Sequence, residues 1–201
     1  MRKSISDMLK LLAADMPEKG FPVGALLERS GREGLLFSIM VLTFPFLLPV
    51  SIPGTSTPFG ILIILICVAL ITGGPLKLPR RLAGMSIPRK FMLPLARRAV
   101  SLLHRIEKRC KPRLRGLTST GFVRNFHTSA MILSSICMML PLPLPLSNTI
   151  PAYSIVFFVL GLLQRDGLMI VSGYLFLAAI LAYLAIVYTL GFTILHLWPL
   201  Q

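Results

Sequence analysis

Thr43-Phe-Pro-Phe-Leu-Leu-Pro-Val-Ser-Ile-Pro-Gly-Thr-Ser-Thr-Pro58 breaks an apolar run with four prolines, Pro45, Pro49, Pro53 and Pro58, and with Gly54. A continuous helix cannot pass through it, because each proline removes an amide donor and clashes with the preceding turn. In a bilayer, backbone freed in this way cannot face lipid. It must be buried in protein or line a polar cavity. The device recurs 96 residues later, where Pro45-Phe-Leu-Leu-Pro49-Val-Ser51 matches Pro141-Leu-Pro-Leu-Pro145-Leu-Ser147 and the second break runs on to Pro151.

The composition around these breaks is that of an integral membrane protein. Of the 201 residues, 55% are hydrophobic and 14% charged, with mean hydropathy +0.79, more apolar surface than a soluble core of this length needs. Asp7, Lys10 and Asp15 interrupt what would be the hydrophobic part of a signal peptide, so membrane residence rests on internal spans. The net charge of +14 is uneven: residues 77–125 hold fourteen Lys/Arg against one acid, Glu107. A short segment this basic is expected on the cytoplasmic side, bound to anionic lipid headgroups. Nucleic acid is not expected as a partner, since no recognition module surrounds the basic block. Cys67, Cys110 and Cys137 are scattered without a C-x-x-C, which argues against a disulfide framework and a metal site.

The helical period gives the remaining order. Ile5, Met8, Leu9, Leu12 and Met16 share one face of an amphipathic helix over residues 4–16. Two short apolar limbs follow, Gly34–Thr43 and Phe59–Thr72, too short to cross a hydrocarbon core of about 30 Å without help. Either they form a re-entrant hairpin, or the first limb dips in and the second spans. Residues 94–110 predict a basic amphipathic helix, with Arg97, Arg98, Arg105, Lys108 and Arg109 opposite its apolar face. After the second break, Ala152–Leu163 predicts a short helix and Gln164-Arg-Asp-Gly167 a polar turn, with Gly167 supplying a left-handed residue or a helix stop. Leu168–Leu200 carries no charge and reads as one span to about Tyr188 plus a shorter limb, broken at Gly191.

The expected fold is therefore one all-α membrane domain with an internal twofold repeat. Residues 1–76 form the first copy and residues 77–125 a cytoplasmic basic loop. Residues 126–201 form the second copy with the C-terminal transmembrane helices. Inverted copies would set the two breaks face to face near the midplane; parallel copies are equally compatible.

Several motifs together resemble the ExoD family, bacterial inner-membrane proteins associated with exopolysaccharide synthesis. They are Pro45-Phe-Leu-Leu-Pro-Val-Ser-Ile-Pro-Gly54 with Gly60, Leu78-Pro-Arg-Arg81, Leu140-Pro-Leu-Pro-Leu-Pro-Leu-Ser-Asn-Thr-Ile-Pro-Ala152 and Gly161-Leu-Leu-Gln-Arg-Asp-Gly167. The resemblance implies a multi-pass protein of the inner membrane serving export or assembly of surface polysaccharide. It implies no catalytic residues. The broken segments are also similar in architecture to the proline-containing re-entrant hairpins of DedA-type lipid transporters, an analogy only.

Candidate binding residues follow from chemistry. Ser51, Gly54 and Thr55 in the first break, and Ser147, Asn148 and Thr149 in the second, offer hydroxyls, an amide and freed carbonyls to a lipid-linked sugar, a headgroup or an ion. The competing reading is that they only satisfy backbone groups orphaned by Pro45, Pro49, Pro53, Pro141, Pro145 and Pro151. Arg32-Glu33 and Arg165-Asp166 are candidate ionisable sites if they face the bundle interior, and surface turns or local ion pairs otherwise. His104, His127 and His196 lack ligand spacing and read as interfacial residues. No two carboxylates are placed for acid–base work and no nucleophile, phosphate-loop or zinc motif occurs, so no enzyme activity, cofactor or metal is expected.

Three functional readings remain. The first is a protein that binds or moves a lipidic or ionic substrate at the broken segments. The second is an adaptor that docks residues 77–125 on a polysaccharide synthase. The third is a cation or proton exchanger using Glu33 or Asp166. An oligomer is compatible with all three.

Overall fold

A computed structural model describes residues 21–22, 31–47, 56–74, 76, 86–87, 120–140 and 146–197. The two amphipathic helices expected over residues 4–16 and 94–110 lie outside them, as does most of the basic loop. The described chain is all-helical apart from a two-residue antiparallel bridge, β1 (Phe21–Pro22) to β2 (Ser86–Ile87). The helices are α1 (Arg32–Thr43), a 3-10 turn (Phe44–Leu47), α2 (Ser56–Thr72), α3 (Gly121–Met139), α4 (Thr149–Gln164) and α5 (Gly167–Leu197).

Prolines set several of the boundaries. α1 can extend its ladder to Phe44, whose N–H donates to Met40 O, but Pro45 has no N–H and the chain tightens into the 3-10 turn. α2 and α4 each carry a proline at their third residue, Pro58 and Pro151. The first N–H groups of a helix lack intrahelical partners, so a proline there removes nothing the helix uses. Pro151 thus belongs to the first turn of α4 rather than to the break that precedes it. α3 starts on Thr120, whose hydroxyl accepts the Val123 N–H at 3.4 Å. It stops at Met139 because Leu140, next to Pro141, is extended with ψ 122°.

The turn into α5 differs from the sequence expectation. The left-handed residue is Arg165, at φ 55° and ψ 39°, and not Gly167. Arg165 and Asp166 both donate backbone N–H to Gly161 O, and the Asp166 bond (3.0 Å) is the six-residue closure of a Schellman ending. Asp166 Oδ1 then accepts the Leu168 N–H at 2.9 Å. This cap restarts the helix at once, which puts Gly167 inside α5.

α5 is also one helix of 31 residues where a span and a second limb were expected. Gly191 does not break it. A glycine inside a helix costs only about 1 kcal/mol against alanine, too little to end a helix with no capping signal beside it. Within α5, Gly167–Leu190 is 24 residues of apolar helix, long enough to cross a membrane; α2 and α4 are apolar but shorter, at 17 and 16 residues.

Neighbouring helices run antiparallel. Arg32, at the start of α1, reaches Leu70 O near the end of α2. Gly60, in the first turns of α2, lies against Met139 and Ser135 near the end of α3. Gly161 meets Ile170, and Gly173 meets the Phe158 ring, where α4 and α5 pack closely. α4 is central, packing on α5, α3, α1 and the 3-10 turn, while α2 packs chiefly on α3. The core between them holds Ile39, Met40, Phe44, Ile63, Ile66 and Phe158, all at most 2% exposed. The directions have one consequence for function. Leu47, Ser56, Leu140 and Leu146, which flank the two breaks, fall at one end of the bundle, and Arg32, Arg124 and Arg165 fall at the other.

Candidate functional site

At the proline end, Ser56, Ser147 and Thr149 are buried, and Phe46 and Phe59 form a T-shaped pair with centroids 5.4 Å apart. Thr43 is buried too, but its Oγ1 donates to Ile39 O at 2.7 Å, so this hydroxyl is spent on its own helix. Pro45 is half-buried in the 3-10 turn and Pro151 is buried in α4. Ser51, Gly54, Thr55, Pro49, Pro53, Pro141 and Pro145 lie outside the described residues.

Asn148 stands apart. It occupies the N-cap position of α4, where asparagine ordinarily accepts a backbone N–H from one turn on. Its backbone is already helical (φ −92°, ψ −28°) rather than extended, and the side chain makes no capping bond. The backbone carbonyl accepts the Ala152 N–H at 3.2 Å, while Oδ1 is buried with no hydrogen-bond partner. An acceptor left in this state costs roughly 1–3 kcal/mol, and a bound donor would recover that energy.

The charged candidates do not form two matching interior pairs. Arg32 and Glu33 are exposed, and Arg32 Nη1 donates to Leu70 O at 3.2 Å. Burial first, and the like charge of Arg124 second, push the Arg32 guanidinium below its ordinary pKa. Arg165 is exposed, whereas Asp166 is 1% exposed and commits Oδ1 to capping α5. Among the described residues no group of three His, Cys, Asp or Glu side chains could hold a metal ion.

A second polar cluster, between α3, α4 and α5, escaped the sequence reading. His127 is 2% exposed, not interfacial; its Nδ1 lies 2.8 Å from the Tyr174 hydroxyl and its ring stacks over Phe158. Further along, Ser134 Oγ and Ser154 Oγ are 3.0 Å apart and Ser154 Oγ donates to Gly173 O at 2.9 Å. The available signal was periodic: His127, Met131, Ser134 and Met138 fall on one face of α3. The other polar members come from α4 and α5, which no local pattern links to α3.

The family model described as "Exopolysaccharide synthesis, ExoD" matches residues 5–186. The chain belongs to the ExoD family. Protein ExoD of Rhizobium meliloti is 37% identical over 186 residues, 92% of this chain and 78% of that protein. An uncharacterized protein of Synechocystis sp. is 30% identical over 139 residues, covering 69% of this chain and 65% of its own length. No solved structure matches the chain. Membership ties the ExoD fold to exopolysaccharide synthesis at the level of the family and names no reaction.

Proposed function

We propose that this protein is a multi-pass membrane protein that supports exopolysaccharide synthesis or export. It binds or moves a lipid-linked or ionic substrate where its two proline-broken segments come together. The observation that carries the reading is the buried, unpartnered Oδ1 of Asn148, set between buried Ser147 and Thr149 at the end of the bundle where both breaks occur.

The membrane setting is supported by α5, whose apolar side chains are turned outward, with Leu175 70% and Tyr188 74% exposed. At 1.5 Å per residue α2 and α4 reach only about 26 and 24 Å, short of a hydrocarbon core of about 30 Å. The residues that flank the two breaks, Leu47, Ser56, Leu140 and Leu146, therefore lie within the membrane or at its edge. The exchange of partners, α1 on α4 and α2 on α3, is what a twofold relation between the halves would give. Because α1 and α3 point the same way, that relation is parallel, with its axis along the membrane normal. The basic end is cytoplasmic by the positive-inside rule, which opens the site to the opposite face. Exchange chemistry is disfavoured, since Asp166 caps α5 and Glu33 is exposed.

The test replaces Ser51 and Asn148, singly and together, and measures polysaccharide output at matched protein level. Losing one hydrogen-bonding group from such a site weakens substrate binding by roughly 5- to 150-fold, so Asn148→Leu should depress output severely. Unchanged output in all three variants removes the site. A loss that follows neutralisation of Arg97, Arg98, Arg105, Lys108 and Arg109 instead assigns the role to an adaptor surface that docks a polysaccharide-synthesis protein or anionic lipid.

A further inference from the structure

We propose that the opposite, basic end of the bundle carries a phosphate-binding site, formed by the guanidiniums of Arg32 and Arg124 between the first turns of α1 and α3. The inference is independent of the substrate reading at the proline end.

The placement follows from the helix directions. Gly60 faces Ser135 and Met139 across the antiparallel α2–α3 pair. Ten residues on, about 15 Å along the axis, Leu70 comes level with the start of α3, where Arg124 lies. Arg32 Nη1 is already bound to Leu70 O at 3.2 Å. The two cations therefore converge on the last turns of α2, and the charge of Arg124 is felt at Arg32 as repulsion.

The Nε of Arg124 is buried with no hydrogen-bond partner. An arginine has five N–H donors and no acceptor, in a fork that matches phosphate oxygens. Two like charges held together, one with a buried idle donor, form an arrangement that an anion stabilises. The end of α1 adds to it. α1 begins at Gly31 with no side-chain cap, so its positive dipole end favours an anion beside Arg32. Arg124 is also the last basic residue of the segment 77–125, and basic segments of this kind attract anionic lipid headgroups. The shared chemistry is a phosphate monoester or diester group, carried by a lipid headgroup or free in solution.

The experiment uses the full chain purified in a phosphate-free maltoside detergent and follows thermal unfolding. Inorganic phosphate and, separately, phosphatidylglycerol in mixed micelles are titrated in. The wild type should be stabilised by at least one of them: by inorganic phosphate if the site takes free phosphate, by phosphatidylglycerol alone if it takes a headgroup. Arg32→Gln and Arg124→Gln should each weaken that response roughly tenfold or more. Arg165→Gln, at an exposed position of the same end, should respond like the wild type. In the absence of phosphate, Arg124→Gln should melt no lower than the wild type, since it relieves the repulsion with Arg32. If Arg124→Gln does not fold, Arg124→Lys decides, because it keeps the charge and loses the fork; weakened binding supports the site. A wild type stabilised by neither ligand, or Arg32 and Arg124 variants that respond like the wild type, would overturn the proposal.

Discussion

Gly173→Leu is expected to unseat α5 from α4 and to be strongly destabilising. A Cβ at position 173 would meet three ring atoms of Phe158 at 2.8, 2.9 and 3.0 Å. Phe158 is fully buried and packs edge-to-face with Tyr174 at 4.8 Å, so the ring has nowhere to go. The same approach lets Ser154 reach Gly173 O. Even Gly173→Ala should lose stability: the gain from helix propensity is at most about 1 kcal/mol, against about 1–3 kcal/mol for overpacking a filled site. Leucine adds three more carbons to the clash and should cost about 3 kcal/mol or more. Gly121→Ala, where an added Cβ meets nothing within 4 Å, is the matched control and should be neutral. Thermal melts of the three variants in detergent check the order. Equal melting of Gly173→Leu and the wild type would mean that α4 and α5 do not approach as described.

His127→Ala is expected to have the next largest effect. His127 hydrogen-bonds Tyr174, stacks on Phe158 at 6.3 Å and lies edge-on to Tyr174 at 5.6 Å. It thus joins all three helices of the second half. Emptying a buried ring site costs about 3–5 kcal/mol for aromatic side chains, and the smaller imidazole should fall near 3 kcal/mol. His127→Phe separates the two contributions. It keeps a ring for Phe158 and loses the hydrogen bond, which is worth about 1 kcal/mol. Unfolding of both variants in urea is the measurement, and the phenylalanine variant should recover most of the loss. If alanine and phenylalanine are equally destabilising, the polar contact dominates and the packing account fails.

The helices were legible in the sequence where proline and capping chemistry is local. Pro45 ends α1 and Pro141 ends α3, and those boundaries follow from missing donors and from the restricted residue before a proline. Three features were not legible, each because a longer-range effect decides it. Arg165 takes the left-handed conformation that Gly167 seemed suited to, because Asp166 must cap α5 one residue earlier. Gly191 stays helical because nothing nearby stops the helix. His127 is a core residue because α4 and α5 fold over it, and its surroundings come from positions 31 and 47 residues away. The candidate site was half legible. Ser147 and Thr149 are buried as a site requires, and Asn148 has an acceptor to spare, but that spare acceptor arises from its helical backbone, which composition does not reveal.

The central claim is that the two proline-broken segments belong to one site, at the end of the bundle away from the basic segment. Cysteine labelling with a membrane-impermeant maleimide tests it most directly, because Cys67 and Cys137 are buried and only Cys110 needs replacing first. Ser51→Cys and Asn148→Cys should both react in intact spheroplasts, and Arg97→Cys only after the membrane is opened. Reaction of positions 51 and 148 from opposite faces, or from the face that position 97 shares, would contradict the account.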